Sequence, residues 1–145
     1  MKDTQTQTRR LLNQIYKGAD MGGEAISIVG EKVKSGEFSQ VLASESAQYS
    51  RIYDQAEQQL KAHGAQPSSS GVGKISLAAG INMQVMKDKS ESALARILIE
   101  GSTMGISEMH DAIARNPSAE QSAIDLANQL ADVSNTIIED MKRFL

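Results

Sequence analysis

The sequence predicts an all-α protein, a bundle of four long helices with one short helix in the middle connection. Apolar residues recur at steps of three and four along most of the chain, which is the period of an amphipathic helix. Alternating runs of β-branched and aromatic residues, typical of strands, are absent, and only two prolines occur in 145 residues. A chain of this length buries one good core, so we expect a single domain.

The first hairpin is predicted at about 8–63. Its first helix ends near Gly36, because glycine readily adopts the left-handed conformation that ends helices. Its second helix follows from about 38 and presents one apolar face. The apolar positions are Leu11, Ile15, Gly18, Gly22, Ile26, Val29 and Val33 in the first helix, and Leu42, Tyr49, Ile52, Ala56 and Leu60 in the second.

The connection at 64–88 separates this hairpin from a second one at about 89–145. It opens with "HGAQPSSSGVG", whose Gly, Pro and Ser content favours turns, and continues into a short helix at about 74–86. The second hairpin turns at "NPSAEQ". Because the middle connection is much longer than a tight turn, we predict a crossover along the bundle, with the first and third long helices as antiparallel neighbours.

A glycine-spaced phrase, G-x-x-M-G, occurs once in each hairpin, with its glycines at Gly18 and Gly22 and at Gly101 and Gly105. Glycine inside a helix costs about 1 kcal/mol relative to alanine. Close approach of two helix backbones offsets such a cost, as in small-xxx-small helix pairs. We therefore predict that the two glycine faces pack against each other across a pseudo-two-fold axis. The alternative is that the glycines loosen their helices near a functional kink.

Three segments, "YKGADMG", "MKDKSES" and "LIEGSTMGI", resemble a group of small ferritin-like proteins of anaerobic bacteria to which no activity is assigned. The resemblance covers nearly the whole chain. It implies a ferritin-like four-helix bundle built from a duplicated helical hairpin, with the short helix in the crossover. It implies nothing about chemistry.

The di-metal ligand set of ferritin-like proteins is incomplete in this sequence. That set takes Glu-x-x-His from the second helix of each hairpin, and here Glu45 is followed by Gln48, an amide that binds iron weakly. Asp20 and Glu24 fall opposite the apolar face of the first helix. Only Glu45 and Glu108 lie on apolar faces. We predict that both are mostly buried and that neither belongs to a complete metal site.

Each of these two carboxyl groups then needs a hydrogen-bond donor or a proton, because an unpaired buried carboxylate is costly. Tyr16, Tyr49 and Tyr53 are candidate donors. Two interpretations stay open for Glu45 and Glu108. They mark a residual metal or small-molecule pocket, or they are satisfied polar contacts where an ancestral site has been lost.

Composition excludes several functional classes. A net charge of -3 argues against the basic surface that binds nucleic acid or an anionic membrane. An aromatic content of 3% argues against a surface on which bases stack. Without cysteine, no disulfide or thiolate site can form. The polar N-terminal stretch precedes no long apolar run, so we expect no signal peptide or membrane span, and a cytoplasmic protein.

The short crossover helix, "KISLAAGINMQVM", has only one charged residue, at its start. A surface helix of a monomer normally carries a charged outer face, and an apolar outer face marks a contact with another chain. We predict that Leu77 and Ile81 point outward into a subunit interface, with a symmetric dimer as the default. The alternative is that both sides are buried within one subunit. The side predicted to lie on the bundle carries Ile75, Ala79, Met83 and Met86.

These patterns predict a non-catalytic helical bundle without a cofactor that self-associates, as a homo-dimer or higher oligomer, or binds a protein partner. No nucleophile–base pair is evident, so no catalytic residue is assigned. Two alternatives remain. One is a di-metal carboxylate protein that handles iron or oxygen, with Glu45 and Glu108 as its remaining ligands. The other is a small-ligand pocket between the hairpins.

Overall fold

The computed structural model describes residues 2–34, 36–68 and 71–145, and all regular structure within these ranges is helical. The all-α class is therefore confirmed. No helix in these ranges is long and apolar enough to cross a membrane. The elements are α1 (Lys2–Gly30), α2 (Gly36–Ala62), α3 (Gly71–Lys87), α4 (Glu91–Arg115) and α5 (Gln121–Met141), followed by a 3₁₀ turn (Lys142–Phe144).

The four long helices form two hairpins, α1 with α2 and α4 with α5, that pack side by side. Near the start of α1, the Arg9 guanidinium donates to the carbonyl of His63, directly after the end of α2. Gln7 accepts a hydrogen bond from the Ser118 amide, just past the end of α4. The start of α1 therefore meets the ends of both α2 and α4, and α1 runs antiparallel to each of them.

Across the bundle, α1 and α5 run parallel and approach each other closely. The Thr8 hydroxyl accepts the backbone N–H of Glu120 at 2.9 Å, at the N-terminus of α5. Further along both helices, Gly18 lies against the side chain of Leu130. Because Glu120 makes no side-chain cap of its own for α5, the buried Thr8 hydroxyl serves that backbone end from the neighbouring helix.

The crossover follows α1 for most of its length. The Ser68 amide donates to Asn13 Oδ1 at 3.3 Å, and Lys74 Nζ lies 3.3 Å from Asp20 Oδ1 at the start of α3. A later residue of the crossover contacts a later residue of α1, so the crossover and α3 run in the same direction as α1. The chain then reaches the start of α4. There the Ser90 side chain caps α4 by accepting from the Ala93 amide. α3 packs mainly on α1 and touches α4 only slightly.

The predicted orientation of α3 is wrong. Ile81 is only 3% exposed and Leu77 is half-buried against the core, whereas Ile75 is 72% exposed and Met86 82% exposed. The helix therefore buries Leu77, Ile81 and Val85 and turns the other apolar stripe outward. Both stripes are apolar, so periodicity could not select between them. The bundle groove receives the Leu-Ile-Val stripe and leaves the methionine-rich one outside.

All four long helices contribute to one core. Burying a large aliphatic or aromatic side chain stabilises a fold by about 1.5–3 kcal/mol, so this set accounts for much of the driving force for folding. The largest fully buried apolar side chains are Phe38, Leu11, Leu12, Ile15, Leu60, Leu94, Leu126, Ile137, Met141 and Val29.

Candidate functional site

A cavity of about 440 Å³ lies between the two hairpins, under α3. Its walls come from α1, α3 and α4, and side chains of α2 and α5 form its floor. Ile26, Leu98, Met109 and Ile137 supply part of its largely apolar lining, and Ile81 of α3 covers it. Cavities of this size and character are typical of small-molecule sites.

The glycines of both repeated phrases line this cavity. Beyond its chain neighbours and its own helix backbone, a Cβ atom added at Gly101 would meet no heavy atom of the described residues within 4 Å, and one added at Gly105 would meet Ser134 Oγ at 3.6 Å. The α4 wall therefore has open space in front of its glycines. Side chains at Gly101 and Gly105 would project into the cavity or its mouth.

The glycines of α1 serve a different purpose. A Cβ atom at Gly22 would lie 2.5 Å from ring atoms of Tyr49, so the glycine makes room for this ring. At Gly18 it would lie 3.1 Å from Leu130 and 3.5 Å from Met109. Side chains from other helices thus pack on the α1 glycines.

The predicted packing of the Gly18 and Gly22 face against the Gly101 and Gly105 face is therefore wrong. The two faces lie on the same cavity but do not touch through their glycines. The physical reason is that side chains of other helices, Leu130 and Tyr49, occupy the space in front of the α1 glycines, whereas the α4 glycines face open space.

Three buried hydroxyl groups converge at the floor of the cavity from three different helices. Tyr49 comes from α2, Ser102 from α4 and Ser134 from α5, and all three are buried. The Tyr49 hydroxyl lies 3.4 Å from Ser134 Oγ, at the long limit of a hydrogen bond. Burial raises the pKa of Tyr49 above its usual value, although hydrogen bonds from Ser134 and Ser102 lower it in part. Tyr49 is therefore a neutral hydrogen-bonding group at physiological pH.

The charged residues that line the cavity, Lys17, Glu100 and Glu108, lie at its edge. Glu100, Met104 and Glu108 follow each other at four-residue steps along α4, all three are exposed, and they border the opening towards α3. The predicted burial of Glu108 is wrong. Its periodicity placed it with the apolar residues, but the gap between α3 and α4 leaves this edge of α4 in solvent.

Glu45 is buried, as predicted, with an exposure of 3%. It lies near the end of α5, where Asp140 is its hydrogen-bonding neighbour. Burial and the adjacent Asp140 carboxyl raise the pKa of Glu45 to about 8. The protonated form therefore predominates at neutral pH. Its Oε2 atom has no hydrogen-bond partner within the described chain.

The tyrosines proposed as donors to the two carboxyl groups have other partners. Tyr16 and Tyr53 stack with their ring centroids 4.3 Å apart, and their hydroxyl groups are hydrogen-bonded to each other. This contact raises the pKa of Tyr16. Tyr49 bonds to Ser134. Glu45 therefore has no tyrosine donor, and burial beside Asp140 favours its protonated form.

Within residues 2–34, 36–68 and 71–145, no group of three His, Cys, Asp or Glu side chains is arranged to hold a metal ion. Glu45 on α2 and Glu108 on α4 are not brought together: the first is buried beside Asp140 and the second borders the cavity mouth.

Large apolar side chains are exposed on α3 and on α4, where Met104 also lines the cavity. On α3 these are Ile75, Met83 and Met86, with exposures of 72%, 62% and 82%, and on α4 Met104 is 64% exposed. Ile75 and Met83 lie on one side of α3, and Met86 is within a turn of Met83. We call these four residues the outer apolar surface.

Comparison with protein-family models, with curated proteins and with solved structures finds no match for this chain. The features that bear on function are therefore the cavity, its hydroxyl floor and the outer apolar surface. Sequence reasoning missed the hydroxyl floor. The available signal was a pair of serines, Ser102 and Ser134, in apolar stripes of their helices, each placed where a core residue is expected.

Proposed function

We propose that this protein is a non-catalytic helical bundle that binds a small, largely apolar molecule in the cavity between its two hairpins. The observation that carries the proposal is the convergence of both G-x-x-M-G phrases on one cavity of about 440 Å³. Glycine in a helix interior is destabilising. Gly101 has no close neighbour that requires a missing side chain. Access to the cavity explains why a residue without a side chain stands there.

The arrangement of the bundle supports a ferritin-like architecture as part of the same proposal. Two antiparallel hairpins joined by a crossover along the bundle are its defining connectivity. The metal alternative has less support, because Glu45 is buried beside Asp140 while Glu108 borders the cavity mouth, and no group of three His, Cys, Asp or Glu side chains among the described residues could hold a metal ion. A pocket between hairpins, lined by apolar side chains with a few hydroxyl groups, suits binding of an organic molecule better than binding of iron.

A neutral fluorescent probe of apolar sites, N-phenyl-1-naphthylamine, tests the proposal. We expect saturable fluorescence enhancement with one site per chain. Gly105→Leu places an isobutyl group above Ser134, inside the cavity, and should weaken probe binding at least about tenfold by excluding the probe's volume. Ser107→Leu, an exposed position on the same helix, is the matched control and should bind as the wild type does.

The outer apolar surface could also take up the probe, so a second control separates the two locations. Met83→Lys introduces a charge on the exposed side of α3 and does not touch the cavity lining. We expect it to retain probe binding. Loss of binding in Met83→Lys with retention in Gly105→Leu would place the probe outside and contradict the proposal. Circular dichroism of each variant checks that the helices remain.

Self-association is a second candidate function, supported by the outer apolar surface. Ile75, Met83, Met86 and Met104 are large apolar side chains that are mostly exposed in a single chain, which is typical of a surface that contacts another chain. The occupant we propose is a second copy of this chain, in a symmetric dimer. The sequence assigned Leu77 and Ile81 to this interface, but both pack against the core. The interface proposed here uses the outer apolar surface instead.

The double variant Ile75→Glu and Met83→Glu tests the dimer by sedimentation velocity. If the wild type is a dimer at micromolar concentration, the variant should sediment as a monomer with unchanged helicity. A wild type that is already monomeric under these conditions, or a variant that remains dimeric, would refute self-association through this surface.

A further inference from the structure

We propose that the cavity selects an uncharged ligand, an apolar molecule with one hydroxyl or carbonyl end that hydrogen-bonds to Tyr49 at the floor. This inference rests on the proposed function and adds the chemical class of the ligand.

The floor offers hydrogen bonds but no charge. Tyr49, Ser102 and Ser134 are its polar groups, and each carries both a donor and acceptor lone pairs. The distance of 3.4 Å between the Tyr49 hydroxyl and Ser134 Oγ exceeds the usual O–H···O distance of about 2.7–2.8 Å. A ligand oxygen at ordinary distance from the Tyr49 hydroxyl would therefore form a shorter hydrogen bond than Ser134 does.

The position of Tyr49 is fixed by its surroundings. Tyr49 is only 5% exposed. Its ring lies against Gly22 so closely that a methyl group added there would overlap it. The ring therefore presents its hydroxyl at one place, so a ligand's polar end has a defined position. Pre-organised polar groups of this kind give an apolar pocket its orientation and specificity.

A charged ligand group finds no compensation in the interior. The charged residues of the lining, Lys17, Glu100 and Glu108, all lie at the edge, and the last two are exposed. An ionised group at the floor would lose its hydration without meeting an opposite charge, which strongly opposes binding. In the reverse orientation, a carboxylate at the opening would meet two glutamates and one lysine. Anionic amphiphiles are therefore disfavoured in both orientations.

Three ligands with the same alkyl chain separate these cases: n-octanol, octanoate and octylammonium, each competing with bound N-phenyl-1-naphthylamine at neutral pH. We expect n-octanol to displace the probe with an apparent dissociation constant at least about tenfold lower than that of octanoate, because the unpaired charge is costly to bury. Octylammonium should also bind more weakly than n-octanol. It should bind more tightly than octanoate, because its charged head can remain beside the glutamates at the cavity edge.

The Tyr49→Phe variant tests the hydrogen bond itself. It should weaken n-octanol binding about fivefold relative to wild type, the usual effect of removing one neutral hydrogen bond. Tyr53→Phe is the matched control, since Tyr53 lies on the same helix and pairs with Tyr16 outside the cavity. Its n-octanol binding should be unchanged.

The measurements distinguish failure of the proposed function from failure of the proposed ligand class. If the probe does not bind the wild type, or binds Gly105→Leu equally well, the proposed function fails. If the probe binds the cavity but octanoate displaces it as well as n-octanol does, the pocket stands and the uncharged ligand class is overturned. If Tyr49→Phe and Tyr53→Phe bind n-octanol equally, the role of Tyr49 as the polar anchor is overturned.

Discussion

Substituting alanine at equivalent glycines of the two repeated phrases should change stability in opposite directions. Gly22 and Gly105 are the last glycines of their phrases and would be expected to behave alike from sequence. At Gly105 the added Cβ makes an ordinary contact, 3.6 Å from Ser134 Oγ. Gly105→Ala should therefore gain the helix propensity difference, about 1 kcal/mol.

At Gly22 the same change should destabilise the protein. The added Cβ would lie 2.5 Å from Tyr49 ring atoms. The ring is buried, so either it or the α1 backbone must move. Overpacking costs about 1–3 kcal/mol, and the upper part of that range applies to a rigid ring. After the propensity gain of about 1 kcal/mol, Gly22→Ala should lose about 2 kcal/mol.

The two variants should thus differ by about 3 kcal/mol, which corresponds to about 10 °C in melting temperature for a chain of this length. Thermal and urea unfolding, followed by far-ultraviolet circular dichroism, measure the difference. The same substitution at the first glycines of the phrases should give a smaller difference in stability. A Cβ atom at Gly101 has open space, and one at Gly18 would lie 3.1 Å from Leu130. Equal shifts of the same sign in Gly22→Ala and Gly105→Ala would refute the different roles assigned to the repeats.

Two further predictions concern buried polar groups. Because the native pKa of Glu45, about 8, lies above its unfolded value, the native state binds more protons between roughly pH 4.5 and 8, and stability should fall as pH rises through that range. Glu45 changes the free energy of unfolding by at most about 1.4 kcal/mol per pH unit. Urea unfolding at a series of pH values should show this dependence in the wild type and in Glu108→Gln but not in Glu45→Gln. Thr8→Val should cost about 1–2 kcal/mol, because the Glu120 amide loses its acceptor, whereas Thr6→Val at an exposed position should change little; equal melting temperatures would contradict this role of Thr8.

The buried and exposed glutamates illustrate how far helical periodicity could predict the site. Glu45 belongs to a stripe of large residues, including Leu42, Tyr49 and Ile52, and the structure buries all of it. Glu108 belongs to a stripe that includes Gly101 and Gly105. Glycine is compatible with either a packed face or an open one, so the stripe did not fix the orientation of α4. The buried face of that helix is centred on Leu98, Ser102 and Met109.

The crossover helix shows a second limit of prediction from sequence. Leu77 and Ile81 were assigned to the outside, and the structure places them inside. A helix that is apolar all round has no pattern that selects its inner side. The selection depends on the shape of the groove beside α1, which is formed by residues distant in sequence.

The sequence by itself determined the all-helical class, the positions of the long helices, the long middle connection and the burial of Glu45. These follow from periodicity, glycine and proline placement and connection length, which are local properties of the chain. Only the tertiary structure decided the orientation of α3, the separate roles of the four glycines and the presence of the cavity. A cavity is the space left between helices, and its walls here join residues as far apart as Gln14 and Ile137, so it depends on how the helices pack and not on the pattern within any one of them.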